Sequence, residues 1–253
     1  MSFGEKLKKF MKDLFEPVPE ADEKSEWEKQ LEEERKAAKE KAAEEKRLKQ
    51  RTKMLNAGMT EEEIDAYDPA SANTMPKSGK IRAIIVSDTH GFVENLYKAL
   101  KTEKPIDLLI HCGDICEDED IIRIMAGCPC KMVTGNMDFS SQYPERDVFE
   151  IGKHRFMLVH GHRYEVQAGI GTLSARAMME KAEVVFFGHT HKPLLTEDRG
   201  ITVVNPGSIA KPRQSDGKYT YAIMEFDADS EEKPVITIKD VPDGVRAKFN
   251  WDF

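Results

Sequence analysis

The chain has 253 residues, 40% of them hydrophobic and 33% charged, with a formal net charge of −8. That length holds one ordinary domain with an extension, or two small domains. The acidic balance argues against a chain built mainly to neutralise nucleic-acid phosphates, and no run approaches the ~18 consecutive apolar residues of a membrane span. The N-terminal lysines flank no apolar core and no small-residue cleavage site, so a cytoplasmic location is expected. The thiols of Cys112, Cys116, Cys128 and Cys130 are then expected to be reduced.

The first 79 residues read as a charged helical extension ending in a linker. Phe3, Leu7, Phe10, Met11, Leu14 and Phe15 recur at helical spacing, with lysines crowding the other face and Pro17 and Pro19 ending the run. Such a helix either docks on a membrane surface or a partner, or packs on its own protein or a sister chain. From about Asp22 to Asn56 the residues are Glu, Lys, Ala, Arg and Gln, a solvated helix laced with opposite charges four residues apart. Its thin stripe of Trp27, Leu31, Ala38 and Ala42 fades before Leu48, which leaves homo-oligomerisation through these helices open. Thr60 and Glu63 form a capping box at the start of a short helix, and residues 69–79 have a linker's composition.

From Lys80 to the end the pattern changes. Ile81–Val86 is an apolar, β-branched run and predicts a buried strand. A helix over Phe92–Leu100, a strand over Asp107–His111, a helix over Glu119–Met125 and a strand over Lys131–Thr134 follow. That alternation predicts parallel strands with helices packed on them. Strands then come faster: Asp147–Ile151, His154–Val159, Val184–Phe187, Ile201–Val204, Tyr219–Phe226 and Val235–Lys239. One helix, Ala168–Lys181, interrupts them. The expectation for residues 80–253 is an α/β body, a two-sheet β-sandwich with helices outside.

Polar residues gather where the strands end. Asp88-Thr89-His90, His111-Cys112-Gly113-Asp114, Gly135-Asn136-Met137-Asp138, His160-Gly161-His162 and Gly188-His189-Thr190-His191 each follow a predicted strand. Ligand sites of open α/β sheets lie beyond these carboxyl ends. Each cluster alone could be a turn, but their ordered recurrence places six of the seven histidines at strand ends. Imidazole and carboxylate together suit Mn, Fe, Zn, Ni or Co, whereas Mg would use fewer histidines. Two such ions sharing a carboxylate ~3.5–4 Å apart hold a phosphate between them and generate a hydroxide that attacks phosphorus. No serine or cysteine motif offers a protein nucleophile. Cys128 and Cys130 flank Pro129 at a spacing sometimes used for metals, but without two further paired thiols they read as small buried residues.

The ordered set resembles the calcineurin-like metallophosphoesterases, and Asn205-Pro206-Gly207-Ser208 makes it similar to their small YfcE-type phosphodiesterase branch. The resemblance covers about Lys80 to Val245. It implies a two-sheet α/β/β/α sandwich holding two divalent ions, Mn2+ foremost with Ni, Fe or Zn as alternatives. By motif, Asp88, His90 and His191 would hold one ion, Asn136, His160 and His189 the other, and Asp114 would bridge them. Many relatives place a histidine after the asparagine to protonate the leaving group, and here Met137 stands instead. His162 is then the candidate acid, or else a hydrogen-bonding support. A site short of an acid should prefer good leaving groups such as aryl phosphodiesters. The resemblance thus implies a cytoplasmic metal-dependent phosphodiesterase acting by a metal-bound hydroxide. A phosphomonoesterase on the same site and a partner-binding scaffold of the same fold are the alternatives. The scaffold is disfavoured because every ligand is kept. A nuclease is disfavoured by the acidic balance and the lack of an aromatic-basic stripe.

Overall fold

The computed structural model describes residues 26–69, 71–116, 118–139 and 142–244. The amphipathic segment Phe3–Phe15 lies outside them. By packing, the chain divides into two units, residues 1–49 and 50–253. Among the described residues no helix is long and apolar enough to cross a membrane.

The alanine-rich charged stretch forms helix α1, Glu26–Asn56. Within the first unit it is solvated: Trp27 and Leu48 are exposed and Lys49 pairs with Glu45 at 2.8 Å. Its last two turns belong to the second unit, where Met54, Ala57 and Met59 are buried in the core. The capping box forms as expected at α2, Glu61–Asp65, with Thr60 N donating to Glu63 and Glu63 N to Thr60 Oγ1. Residues 69–79 are more than a linker. Ala72 is buried in a single turn, Ser71–Asn73, held by Asn73 Nδ2 donating to Pro69 O, and Met75 packs against the core.

The body alternates β1 (Lys80–Val86), α3 (Glu94–Glu103), β2 (Leu108–His111), α4 (Glu119–Ala126) and β3 (Cys130–Met132). Then come β4 (Arg146–Ile151), β5 (His154–Val159), α5 (Gly171–Met179), β6 (Val184–Phe186), β7 (Pro193–Asp198), β8 (Ile201–Pro206), β9 (Thr220–Asp227) and β10 (Val235–Asp240). Two five-stranded sheets result, ordered β10-β9-β1-β2-β3 and β4-β5-β6-β8-β7. The expected strands appear with ends moved by a few residues. One strand, β7, was not expected: Pro193 starts it, and its charged, half-exposed residues suit a sheet edge better than a core.

Side-chain alternation along β1 builds the layers. Ile81, Ala83 and Ile85 face the second sheet and meet Phe156, Leu158, Phe186 and Val204. Ile84 and Val86 face the other way, onto Leu96, Leu100, Ile122 and Met125 of α3 and α4. Beneath the second sheet, Val159, Val185 and Val203 pack on Leu173 and Ala177 of α5. Every strand at the centre is therefore covered on both faces, which explains their unbroken apolar runs. β1, β2 and β3 run parallel, with Val86 opposite His111 and His111 opposite Met132. β5, β6 and β8 also run parallel, so each sheet delivers its central loops to one edge.

Candidate metal centre

The loop after β1 lies along the loop after β2. Asp88 N donates to Gly113 O, His90 N to Asp114 O and Gly91 N to Ile115 O at 2.9–3.1 Å, continuing the sheet past its last strand residues. Five of the candidate ligand residues take a cramped backbone: Asp88, His90, Asp114, His189 and His191 all have φ between 46° and 66°. A non-glycine residue there costs roughly 1–2 kcal/mol, and such strain collects where side chains must be aimed at a ligand. Two glycines are required by proximity. A Cβ on Gly135 would stand 2.1 Å from Asp114 Oδ1, and one on Gly188 would stand 1.9 Å from Ser87 Oγ.

Asp88, His90, Asp114 and His191 come together with one potential ligand atom each, all within 4.8 Å of one another. His191 Nδ1 donates to Lys211 O at 2.6 Å, which fixes the tautomer and turns the lone pair of Nε2 inward. That Nε2 stands 3.2 Å from Asp88 Oδ1 and 3.3 Å from His90 Nε2. On the other side His160 Nδ1 donates to Cys112 O at 2.8 Å. Its Nε2 faces Asp114 Oδ1 at 3.4 Å and Asn136 Oδ1 at 3.1 Å. Asp114 thus turns Oδ1 to His160 and Oδ2 to His90, the latter at 3.6 Å.

The electrostatics call for a cation. Asp88 is fully buried, and neither of its oxygens receives a hydrogen bond among the described residues. Burial alone would raise its pKa, but His191 and His160 hold it below the ordinary carboxylate range. Burial likewise opposes ionisation of Asp114, and its neighbours, His160 first, bring it well below that range. His160 is pulled down by burial yet ends above the usual imidazole value because Asp114 and Asp88 face it. Burial pulls His90 down to about 4. Lone pairs and carboxylates therefore converge where only an ion or a borrowed proton can stand between them. Oxygen and imidazole donors fit a divalent transition metal.

Not every expected ligand is gathered equally. The His189 ring lies 5.2 Å from that of His160, with Nε2 turned to Gln167 Nε2 at 3.0 Å. His162 stands beside it, 6.2 Å from His189 and 5.5 Å from His160 by ring centres, with a buried Nδ1 that has no hydrogen-bond partner among the described residues. Burial, then His160, lowers its pKa. Met137, half-exposed beside Asn136, has no proton to give. The cysteines take no part as thiolates: burial pushes Cys128 up to about 12 and Cys130 higher still, and the Cys130 thiol donates to Cys128 O.

Sequence reading missed the residues that hold the loops. The Asp138 carboxylate accepts from Ile115 N, Cys116 N and Gly135 N at 2.7–2.8 Å, joining the loop of Asp114 to that of Asn136. His111 is a buttress: Nδ1 accepts from Gly113 N and Nε2 meets Thr89 Oγ1 at 3.2 Å. Asn205 Nδ2 donates to Gly188 O and Thr190 Oγ1, while Ser208 Oγ donates to Asp88 O, which gives the Asn-Pro-Gly-Ser motif its task. An Asp two residues past Asn136 at a strand end is the sequence signal of the first of these.

The chain is similar to known proteins. Residues 81–229 match the calcineurin-like phosphoesterase superfamily domain. The probable metallophosphoesterase YsnB of Bacillus subtilis is 33% identical over 151 residues, 59% of this chain and 87% of that protein. The probable metallophosphoesterase MJ0623 of Methanocaldococcus jannaschii is 31% identical over 132 residues, 51% of this chain and 68% of that protein. A conserved protein of Streptococcus pneumoniae TIGR4, described as a predicted phosphoesterase, superposes with TM-score 0.52 at 28% identity, covering 64% of this chain and 98% of its own. Vacuolar protein sorting 29 of Cryptosporidium parvum superposes with TM-score 0.53 at 17% identity over 64% of this chain and 98% of its own, a likeness of fold.

Proposed function

The chain belongs to the calcineurin-like phosphoesterase superfamily, and from that premise we propose that it is a metal-dependent phosphodiesterase with a two-ion centre. Asp88, His90 and His191 would hold one ion and Asn136, His160 and His189 the other, with Asp114 between them. The observation that carries this reading is Asp114, which turns one oxygen to each histidine group. The mixed imidazole, carboxylate and amide donors suit Mn2+, with Ni, Fe or Zn as alternatives. Such ions, when bound, supply an acidified water and neutralise phosphoryl charge. The chain's own part is to aim. Lys211 O and Cys112 O keep the ring nitrogens of His191 and His160 as acceptors toward the centre. The buried, dry surroundings of Asp88 raise the worth of every charge there.

The choice of a diester rests on the surroundings. A cleft of about 350 Å³ is lined by Glu145, Arg146, His160 and His162. A groove of about 560 Å³ is lined by Gln167, whose Nε2 touches His189, and by Thr190, which stands between His189 and His191 in the chain. A phosphodiester at the centre has an alcohol arm for each. With Met137 in the place of an acid, aryl esters, whose alcohols leave unprotonated, are the expected good substrates.

The test combines metal analysis with turnover. The purified chain should hold about two ions and hydrolyse bis(para-nitrophenyl) phosphate faster than para-nitrophenyl phosphate. Asp114→Ala should lose about 10³-fold in kcat/KM. Faster monoester turnover would replace the diesterase with a monoesterase, and an active Asp114→Ala variant would sink the two-ion centre.

A further inference from the structure

The two openings beside the centre differ in their cations. In the cleft at His160, Arg163 is spent on Glu145 at 2.5 Å and Arg146 on Glu180 at 3.6 Å. The groove at Thr190 is built otherwise. Val166, Ile170, Phe187 and Leu194 line it with apolar surface. Lys192 and Arg213 also line it, both exposed, and neither has a carboxylate partner among the described residues. Recognition sites commonly combine such an apolar lining with few charged groups that fix orientation.

The groove is continuous with the ligands. Thr190 sits between His189 and His191, Gln167 Nε2 touches His189 Nε2, and Arg213 N donates to His191 O at 3.0 Å. A group seated in it lies beside His189 and His191 and meets Lys192 and Arg213 in the same lining. Arg213 presents a planar fork suited to a carboxylate or phosphate, and Lys192 adds a compact point charge.

We propose that this groove binds the leaving alcohol of the substrate, and that this alcohol is an apolar ring bearing an anionic group held by Lys192 and Arg213. The assignment of the arm rests on the phosphodiesterase reading; the binding chemistry of the groove does not. A neutral aryl arm fills only the apolar part, whereas an anionic ring also meets the cations. The enzyme thus discriminates between two diesters that differ by one charge on the departing ring.

Two measurements test it. Full-length protein and Lys192→Ala/Arg213→Ala are compared on methyl para-nitrophenyl phosphate and on the same ester carrying a ring carboxylate meta to the ester oxygen. The ratio of kcat/KM, carboxylated over neutral, should fall about tenfold in the variant, the loss of roughly one charge-assisted contact. A general weakening of the fold would lower both esters together and leave the ratio unchanged, and an unchanged ratio overturns the proposal. If the wild type turns over neither ester, the diesterase reading has failed and the groove is judged by binding. Metal-free protein should then bind anilinonaphthalene sulfonate, an apolar ring system with an anion, about tenfold more tightly than the double variant does. Equal affinity overturns the groove itself.

Discussion

Two buried carboxylates lie on opposite terms with their surroundings. Glu103, at the end of α3, is nearly inaccessible and fully answered: Tyr221 Oη donates at 2.7 Å, Lys239 Nζ at 2.9 Å, and the Arg82 guanidinium closes the third side. Burial pushes against its ionisation, yet these donors, Tyr221 first, bring its pKa down to about 2. Asp88 is as deeply buried and receives no hydrogen bond among the described residues. Its backbone is left-handed, and His191 Nε2 faces it at 3.2 Å. The same chemical group is a keystone in one place and an unfilled demand in the other. A buried charge that the protein completes makes the loss of any one partner costly; one that it leaves incomplete is reserved for something that arrives.

The contrast breaks if the two residues respond alike. Glu103→Ala should cost about 3 kcal/mol, because it leaves the Tyr221 hydroxyl unpaired and Arg82 with only the exposed Glu225. Asp88→Asn should cost less metal-free stability than Glu103→Ala, since it gives up the pull of His191 and His160 but no set of three committed donors. It should also abolish the rise in Tm on adding Mn2+. Thermal melts of both variants with and without metal decide it.

Acid sharpens the difference. The folded-state pKa of Glu103 lies below its ordinary value of 4.5, so its contribution is complete above that pH and is lost as pH falls toward about 2. A Glu103→Gln variant should lose stability at pH 7 and show a flatter decline of Tm across that window. A decline parallel to wild type would show that Glu103 is not the keystone it resembles.

Asp138→Asn tests how the open site is kept open. It swaps an acceptor of three backbone N–H groups for a side chain that can satisfy fewer. Metal affinity by calorimetry should fall about 10–100-fold with the fold retained. Unchanged affinity would mean the loops hold their shape without it.

Smallest of all should be the effect of removing residues 1–49, which form their own unit. The remaining chain should melt within about 1 kcal/mol of the full one. A cut at Lys80 would also remove buried Met54, Ala57 and Met59 and should cost several times more.

The sequence disclosed the site better than its supports. Asp88, His90, Asp114 and His191 were legible because strand-end polar residues beside glycine repeat in one dimension what the sheets gather in three. The role of Asp138 was not, since accepting three N–H groups from two loops leaves no periodic trace. Edge strand β7 was hidden by its polar side chains, and the docking of Ala72 and Met75 by a composition that also describes free linkers. The fold was legible where both faces of a strand are buried and obscure where one is not.

The pairing of β1 with β9 bears on how the protein is made. Ala83 lies opposite Met224 and Lys80 opposite Asp227, so the strand leading into Asp88 is held by one translated far later. All the candidate ligands, from Asp88 to His191, are translated before that strand. A nascent chain therefore carries its histidines and carboxylates for a time with no finished sheet to aim them. Closing so long a loop is slow relative to local folding, which makes the interval before β9 emerges the time when a stray metal or another chain could capture those residues.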